Sequence, residues 1–254
     1  MRAIIIGAGR GSRLENLTDD VPKTLVEVMG RPMLDQIVES LAVAGFAKKD
    51  IVFICGYKQE VVRARYPEFT FVENAAWESN NILLSLMFAR EFFAEGFVST
   101  YADIIYTGDI AKKVADSKER ITLGCDTDWR RRYVRRTHHP ETDAEKLVAD
   151  GARVTKISRT IPSEEAAGEF IGVMKVSKEA VPTFTSNFDE LENVWTGKVW
   201  REGRTFTKAY LLDYLAELIE RGEPMHREDT PGGYMEIDTL QDREFAADWW
   251  AGRS

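Results

Sequence analysis

The chain has 254 residues, 44% hydrophobic and 30% charged, the balance of an ordinary globular protein built as one large domain or two small ones. Its formal net charge of −8 argues against a nonspecific nucleic-acid partner, which needs a basic face. The absence of a membrane-length apolar run, a start unlike a signal peptide, and two cysteines (Cys55 and Cys125) without metal-ligand spacing together predict a cytoplasmic protein with both thiols reduced.

Taken in order, residues 2–6 read as a buried strand, and 33–44 carry helical periodicity that stops at Gly45. Residues 51–55 form a second apolar strand, 57–65 a short helix and 69–74 a third strand. Asn80 and Asn81 open a helix that Gly96 closes, and 97–106 is a strand running into polar residues. This alternation predicts a mostly parallel sheet with helices on its faces. Beyond about residue 125 the pattern changes. A hairpin over 145–158 turns at Asp150-Gly151, 168–177 is another strand, and 178–187 and 206–221 are helical. A strand, a turn and a final helix follow. The expectation is one α/β domain with an inserted sheet-rich lobe, divided into residues 1–125, about 126–230, and a closing strand and helix over 231–254.

The most informative stretch follows the first strand: GAGRGSRL at 7–14, then PKTL at 22–25 and GRPML at 30–34. Glycines after a strand let backbone N–H groups approach phosphate. A dinucleotide fingerprint would need glycine where Ser12 stands, and a P-loop would need glycine before Lys23, where Pro22 stands. The whole stretch resembles the signature of sugar-phosphate and choline-phosphate nucleotidyltransferases. NNILLSLMFARE at 80–91 and YMEIDTLQD at 234–242 resemble the choline-phosphate cytidylyltransferase branch.

That resemblance implies a Rossmann-like nucleotidyltransferase fold, with residues 1–125 as a nucleotide-binding half, about 126–230 as an acceptor-binding portion and 231–254 as the strand and helix carrying a metal aspartate, and CTP as the nucleotide. Gly7, Ala8, Gly9, Gly11 and Ser12 would line the triphosphate, with Arg13 and Lys23 adding charge where pyrophosphate leaves. Asn80, Asn81 and Ser85 would lie near the base, although helix capping is an equal reading of Asn80. Asp103 and Asp238 match the family's two metal aspartates, so Mg²⁺ is the expected cofactor; Asp109 reads instead as a helix cap. An acceptor phosphate or phosphonate is already ionised near neutral pH, so no general base is required.

The stretch DWRRRYVRRTHHP at 128–140 holds five arginines and two of the three histidines. It reads either as a solvated face or as a site for a strongly anionic acceptor. With GEFIGV at 168–173 it resembles the cytidylyltransferases of phosphonate pathways. The acceptor would then be a small phosphonate such as 2-hydroxyethylphosphonate, 2-aminoethylphosphonate or phosphonoformate. Arg132, Arg135 or His138, with Lys146, would hold the phosphonate. A phosphocholine or hexose-1-phosphate enzyme, and a nucleotide-binding regulatory module, are the alternatives.

Overall fold

The computed structural model describes residues 1–251. Strand β1 (Arg2–Ile6) leads through the glycine loop to a short hairpin, β2 (Glu27–Val28) and β3 (Arg31–Pro32), and helix α1 (Met33–Val43). Then come β4 (Ile51–Cys55), α2 (Gln59–Arg65), β5 (Thr70–Glu73), α3 (Ile82–Met87), β6 (Phe97–Tyr101), β7 (Ile104–Tyr106), α4 (Gly108–Asp116) and β8 (Ile121–Asp126). The second half holds α5 (Trp129–Tyr133), β9 (Lys146–Asp150), β10 (Arg153–Ile157), β11 (Gly168–Val176), α6 (Val181–Trp195), α7 (Leu211–Glu220), β12 (Met225–Thr230), β13 (Tyr234–Glu236) and α8 (Leu240–Ala251).

One nine-stranded sheet carries the architecture, in the order β5-β4-β1-β6-β11-β8-β12-β10-β9. β1 lies at its heart because Ala3, Ile4 and Ile5 are wholly buried and face helices on both sides. β4, β5 and β6 join it in parallel, as the strand–helix alternation requires. β11 then enters antiparallel between β6 and β8. The sheet is therefore mixed, although most strands share one direction.

The sheet-rich second half continues this sheet directly. β9 pairs with β10 along one edge and, at Lys146 and Leu147, with the first residues of β11 along the other. The end of the sheet thus curls back on itself, with β9 closing onto β11.

Three expectations shift. The helix from Asn81 ends at Met87 and gives way to a single tight turn over Arg90–Phe92, after which Phe93 stacks on Phe97 with ring centroids 4.1 Å apart. The strand expected over 97–106 breaks at Ala102-Asp103, because β7 leaves the main sheet to pair with β13. β12, the polar run MHREDT, lies inside the sheet between β8 and β10, where strand propensity alone gives little sign of it.

Candidate active site

The glycine loop is shaped by three different contacts. A Cβ on Gly7 would fall 2.5 Å from the Phe53 ring, so that glycine serves strand packing. A Cβ on Gly9 would meet nothing within 4 Å, so that position is open. Gly11 has φ +75°, the left-handed region that favours glycine, and its missing Cβ leaves room for the Lys23 side chain. Ala8 is buried, and its carbonyl accepts from the Tyr57 N–H at 2.9 Å.

Lys23 crosses beneath the loop and binds two carboxylates. Its Nζ donates to Asp103 Oδ2 at 2.8 Å and also to Asp238 Oδ1. Burial opposes its charge, but Asp103, Asp238 and Glu236 outweigh burial and hold the ammonium above its usual range. Arg13 reaches the other oxygen of Asp238 at 2.6 Å. Burial tends to raise the Asp238 carboxyl, yet Lys23 and Arg13 bring it down to about 2. The break after β6 and the end of β13 deliver the two aspartates to one place from opposite ends of the fold.

Glu236, two residues before Asp238, belongs to the same cluster. Burial, and the charges of Asp238 and Asp103, push its carboxyl well above the usual range. Alternation along a strand puts i and i+2 on one face, so the spacing in YMEID carried this signal. His139 completes the group: it, Glu236 and Asp238 each offer one ligand atom, all within 4.8 Å of one another. Its Nε2 lies 3.3 Å from Glu236, while its Nδ1 faces an Arg136 nitrogen at 2.6 Å. Arginine can only donate, so Nδ1 accepts and Nε2 carries the proton toward Glu236. That leaves the carboxylates of Asp103, Glu236 and Asp238 as the atoms suited to a hard divalent cation, and a donor set of this kind fits Mg²⁺.

Two cavities open on the cluster. The smaller, about 350 Å³, runs along Gly7, Gly9, Gly11, Ser12 and Lys23. The larger, about 460 Å³, is lined by Tyr101, Glu145, Arg159, Glu169, Arg204 and Tyr210 among others. Arg13, Asn81, Asp103 and Asp238 line both.

Asn81, rather than Asn80, caps α3 by accepting from the Ile82 N–H at 2.9 Å. Asn80 pairs its amide with that of Asn74, and the Asn74 amide also donates to Ser85 at 2.8 Å. Asn80 and Ser85 therefore brace the helix start and line neither cavity. Asp109 sits inside the first turn of α4, one residue past its start.

The four residues expected to hold the acceptor are placed elsewhere. Arg132 is 0% exposed and locked between Asp126 and Glu169, so its charge is already spent on folding. Arg135 faces solvent against Phe245 and Asp248. His138 is exposed, with its backbone N–H donating to Gln241, and the neighbouring His139 is the one turned inward. Lys146 is buried with its ammonium on the Glu141 carbonyl at 3.4 Å. A mostly one-turn helix explains this: α5 buries one side of the arginine run and exposes the other, so the run cannot act as a single basic surface.

Residues 3–141 match the family model of the MobA-like NTP transferase domain. The chain belongs to this family. As a nucleotidyltransferase it is 26% identical over 254 residues to the CTP:phosphoglutamine cytidylyltransferase of Campylobacter jejuni, covering 96% of this chain and 98% of that one. It is 34% identical over 97 residues to the 2-aminoethylphosphonate cytidylyltransferase of Lancefieldella rimae, covering 37% and 39%. Among solved structures, the transferase fold superposes on CTP:phosphocholine cytidylyltransferase from Streptococcus pneumoniae with TM-score 0.71 at 23% identity, covering 97% of each chain. It likewise matches the inositol-1-phosphate CTP transferase of T. maritima with TM-score 0.70 at 21% identity, covering 99% and 96%. Among the described residues of the transferase no helix is long and apolar enough to cross a membrane.

Proposed function

We propose that this nucleotidyltransferase moves CMP from CTP to an oxygen of a small phosphate or phosphonate acceptor and releases pyrophosphate. The observation that carries the reading is that the two cavities meet at Arg13, Asn81, Asp103 and Asp238. One cavity follows the glycine loop, as a triphosphate site would; the other is large enough for a small acceptor. Several relatives are named cytidylyltransferases, including the one that matches nearly the whole chain, and this supports cytidine as the nucleotide; a uridylyltransferase also matches about half of the chain.

In this reading the acceptor oxygen attacks the α-phosphorus of CTP. A new P–O bond forms as the bond to the bridging oxygen breaks, and the electron pair leaves with pyrophosphate. The acceptor is ionised beforehand, so no side chain has to remove a proton. Lys23 and Arg13 stabilise charge on the phosphates, and Gly9, Gly11 and Ser12 leave room for them. Asp103 and Asp238, with Glu236, would hold Mg²⁺, which supplies neutralisation of the developing phosphate charge. His139 fixes Glu236 through its Nε2 proton. A phosphonate acceptor, and a cytosolic setting in which Cys55 and Cys125 stay reduced, belong to the same proposal.

The test is pyrophosphate release by the full chain with Mg²⁺ and each of CTP, UTP, ATP and GTP, across phosphonates, phosphocholine and glucose-1-phosphate. CTP turnover with a phosphate or phosphonate supports the reading. Turnover only with glucose-1-phosphate would favour a hexose-1-phosphate enzyme, and none with any pair would favour a nucleotide-binding module.

A further inference from the structure

More acidic than basic side chains line the larger cavity, the reverse of what the arginine run suggested. Asp103, Asp143, Glu145, Glu169, Glu236 and Asp238 line it, against Arg13, Arg159 and Arg204. An acceptor that brought only a phosphate would meet a poorly matched wall.

The far end of this cavity offers paired opposite charges. Glu145 stands just before β9 and Arg159 just after β10, so the hairpin brings them side by side, with Arg159 donating to Glu145 at 3.3 Å. Tyr101 steadies the other Glu145 oxygen by donating at 3.2 Å. The Arg159 Nε is buried and has no hydrogen-bond acceptor among the described residues. Arg204 comes from the connection between α6 and α7. Its guanidinium carbon lies 4.1 Å from the centroid of the Tyr210 ring, and that of Arg159 lies 4.0 Å from the same centroid. Arg204 also donates to Glu202 at 2.8 Å, so each guanidinium has one carboxylate partner and keeps further N–H groups for an anion.

We propose that the acceptor is a phosphorylated or phosphonylated α-amino acid, whose ammonium is taken by Glu145 and whose carboxylate is taken by Arg159 and Arg204. This rests on the cytidylyltransferase reading above. An α-amino acid carries both charges on one carbon, which matches an acid and a guanidinium 3.3 Å apart. A quaternary ammonium has no N–H to give Glu145 and no carboxylate for the arginines. A simple aminoalkyl phosphonate satisfies Glu145 alone. Tyr101 stands two residues before Asp103, so the amino-acid head and the phosphoryl oxygen would share one cavity.

The experiment measures pyrophosphate release with Mg²⁺ and CTP for matched acceptors. O-phosphoserine, 2-amino-4-phosphonobutyrate and phosphoglutamine carry the full head. Phosphoethanolamine and 3-aminopropylphosphonate lack the carboxylate, and phosphocholine also lacks the N–H. The expected result is a kcat/KM at least about tenfold higher for one amino-acid member than for its decarboxylated counterpart, the scale of one charge-assisted hydrogen-bonded pair. Arg204→Met, at a partly exposed position, is expected to bring that ratio close to one. Equal or better use of phosphoethanolamine or phosphocholine overturns this proposal and leaves the cytidylyltransferase reading intact. A ratio unmoved in Arg204→Met overturns the arginine assignment. No pyrophosphate release with any acceptor, glucose-1-phosphate included, overturns both.

Discussion

Gly11 and Lys23 share one space: a Cβ on Gly11 would lie 2.6 Å from Lys23 Cδ. Any side chain at 11 must therefore push Lys23 away from Asp103 and Asp238, besides straining a backbone at φ +75°. Gly11→Ala is expected to slow turnover by about a hundredfold while costing about 1–2 kcal/mol of stability. Steady-state kinetics and urea melts on the same preparation check this. A destabilised variant with normal kcat would show that the position of Lys23 does not matter to chemistry.

Asp103→Asn and Asp238→Asn should each reduce kcat by about a thousandfold or more, because each removes a carboxylate from the cluster around Lys23. The wild-type protein should lose pyrophosphate release on chelation and regain it with excess Mg²⁺. Titrating Mg²⁺ against rate for both variants separates lost metal binding from lost folding. Wild-type Mg²⁺ dependence in either variant would remove that aspartate from the metal site.

Glu145 gives the protein a slope with pH. Burial lifts its carboxyl to about 7, against the lowering effect of Arg159. In the unfolded chain a glutamate titrates near 4.3. The folded state binds that proton more tightly, so stability falls as pH rises from the unfolded value through about 7, then levels. The size is on the order of 3–4 kcal/mol. Glu145→Gln should flatten this part of the profile, measured as urea midpoints between pH 4 and 8.

Asp242 has the opposite sign. Its Oδ2 accepts from the backbone N–H of Asp238 at 3.0 Å and of Thr239 at 2.8 Å, and its Oδ1 accepts from Arg136 at 2.7 Å. Burial opposes the charge, but Arg136, hydrogen-bonded to it, holds the carboxyl well below its usual range. Its stabilisation is present above the unfolded value near 4 and is lost as pH falls through the depressed one. Asp242→Asn should cost about 3 kcal/mol at neutral pH and loosen the turn that carries Asp238, lowering kcat as well. Acid melts of the two proteins should converge at low pH.

The arginine run divides into structural and surface members. Arg132→Met should destabilise by about 3–5 kcal/mol, since it strands Asp126 and Glu169 in the interior. Arg135→Ala, on the solvent side, should leave kcat/KM within twofold. A strong rise in acceptor KM for Arg135→Ala, with unchanged melting, would return that residue to the acceptor site.

The region around the glycine loop was readable because its signals are local. A buried strand, a glycine loop and a lysine behind a proline sit close together in sequence. Asp103 and Asp238 were picked out by motif resemblance; Glu236 was missed, although strand alternation around Asp238 could have pointed to it. The lining of the larger cavity was not readable, because its residues come from separate connections. Glu145, Arg159, Arg204 and Tyr210 meet only after the sheet curls and β9 closes on β11. A run of like charges is also ambiguous by itself. Which arginines turn inward depends on the short helix α5 and on the acids waiting at Asp126, Glu169 and Asp242.

Lys23 and Asp238 touch although 215 residues separate them. During synthesis the glycine loop and its lysine leave the ribosome long before β13 exists to bring the second aspartate. Until β13 docks against β7, a growing chain carries the glycine loop and Lys23 without Asp238, so the cluster that joins the two ends of the sequence can assemble only after nearly the whole chain has been made.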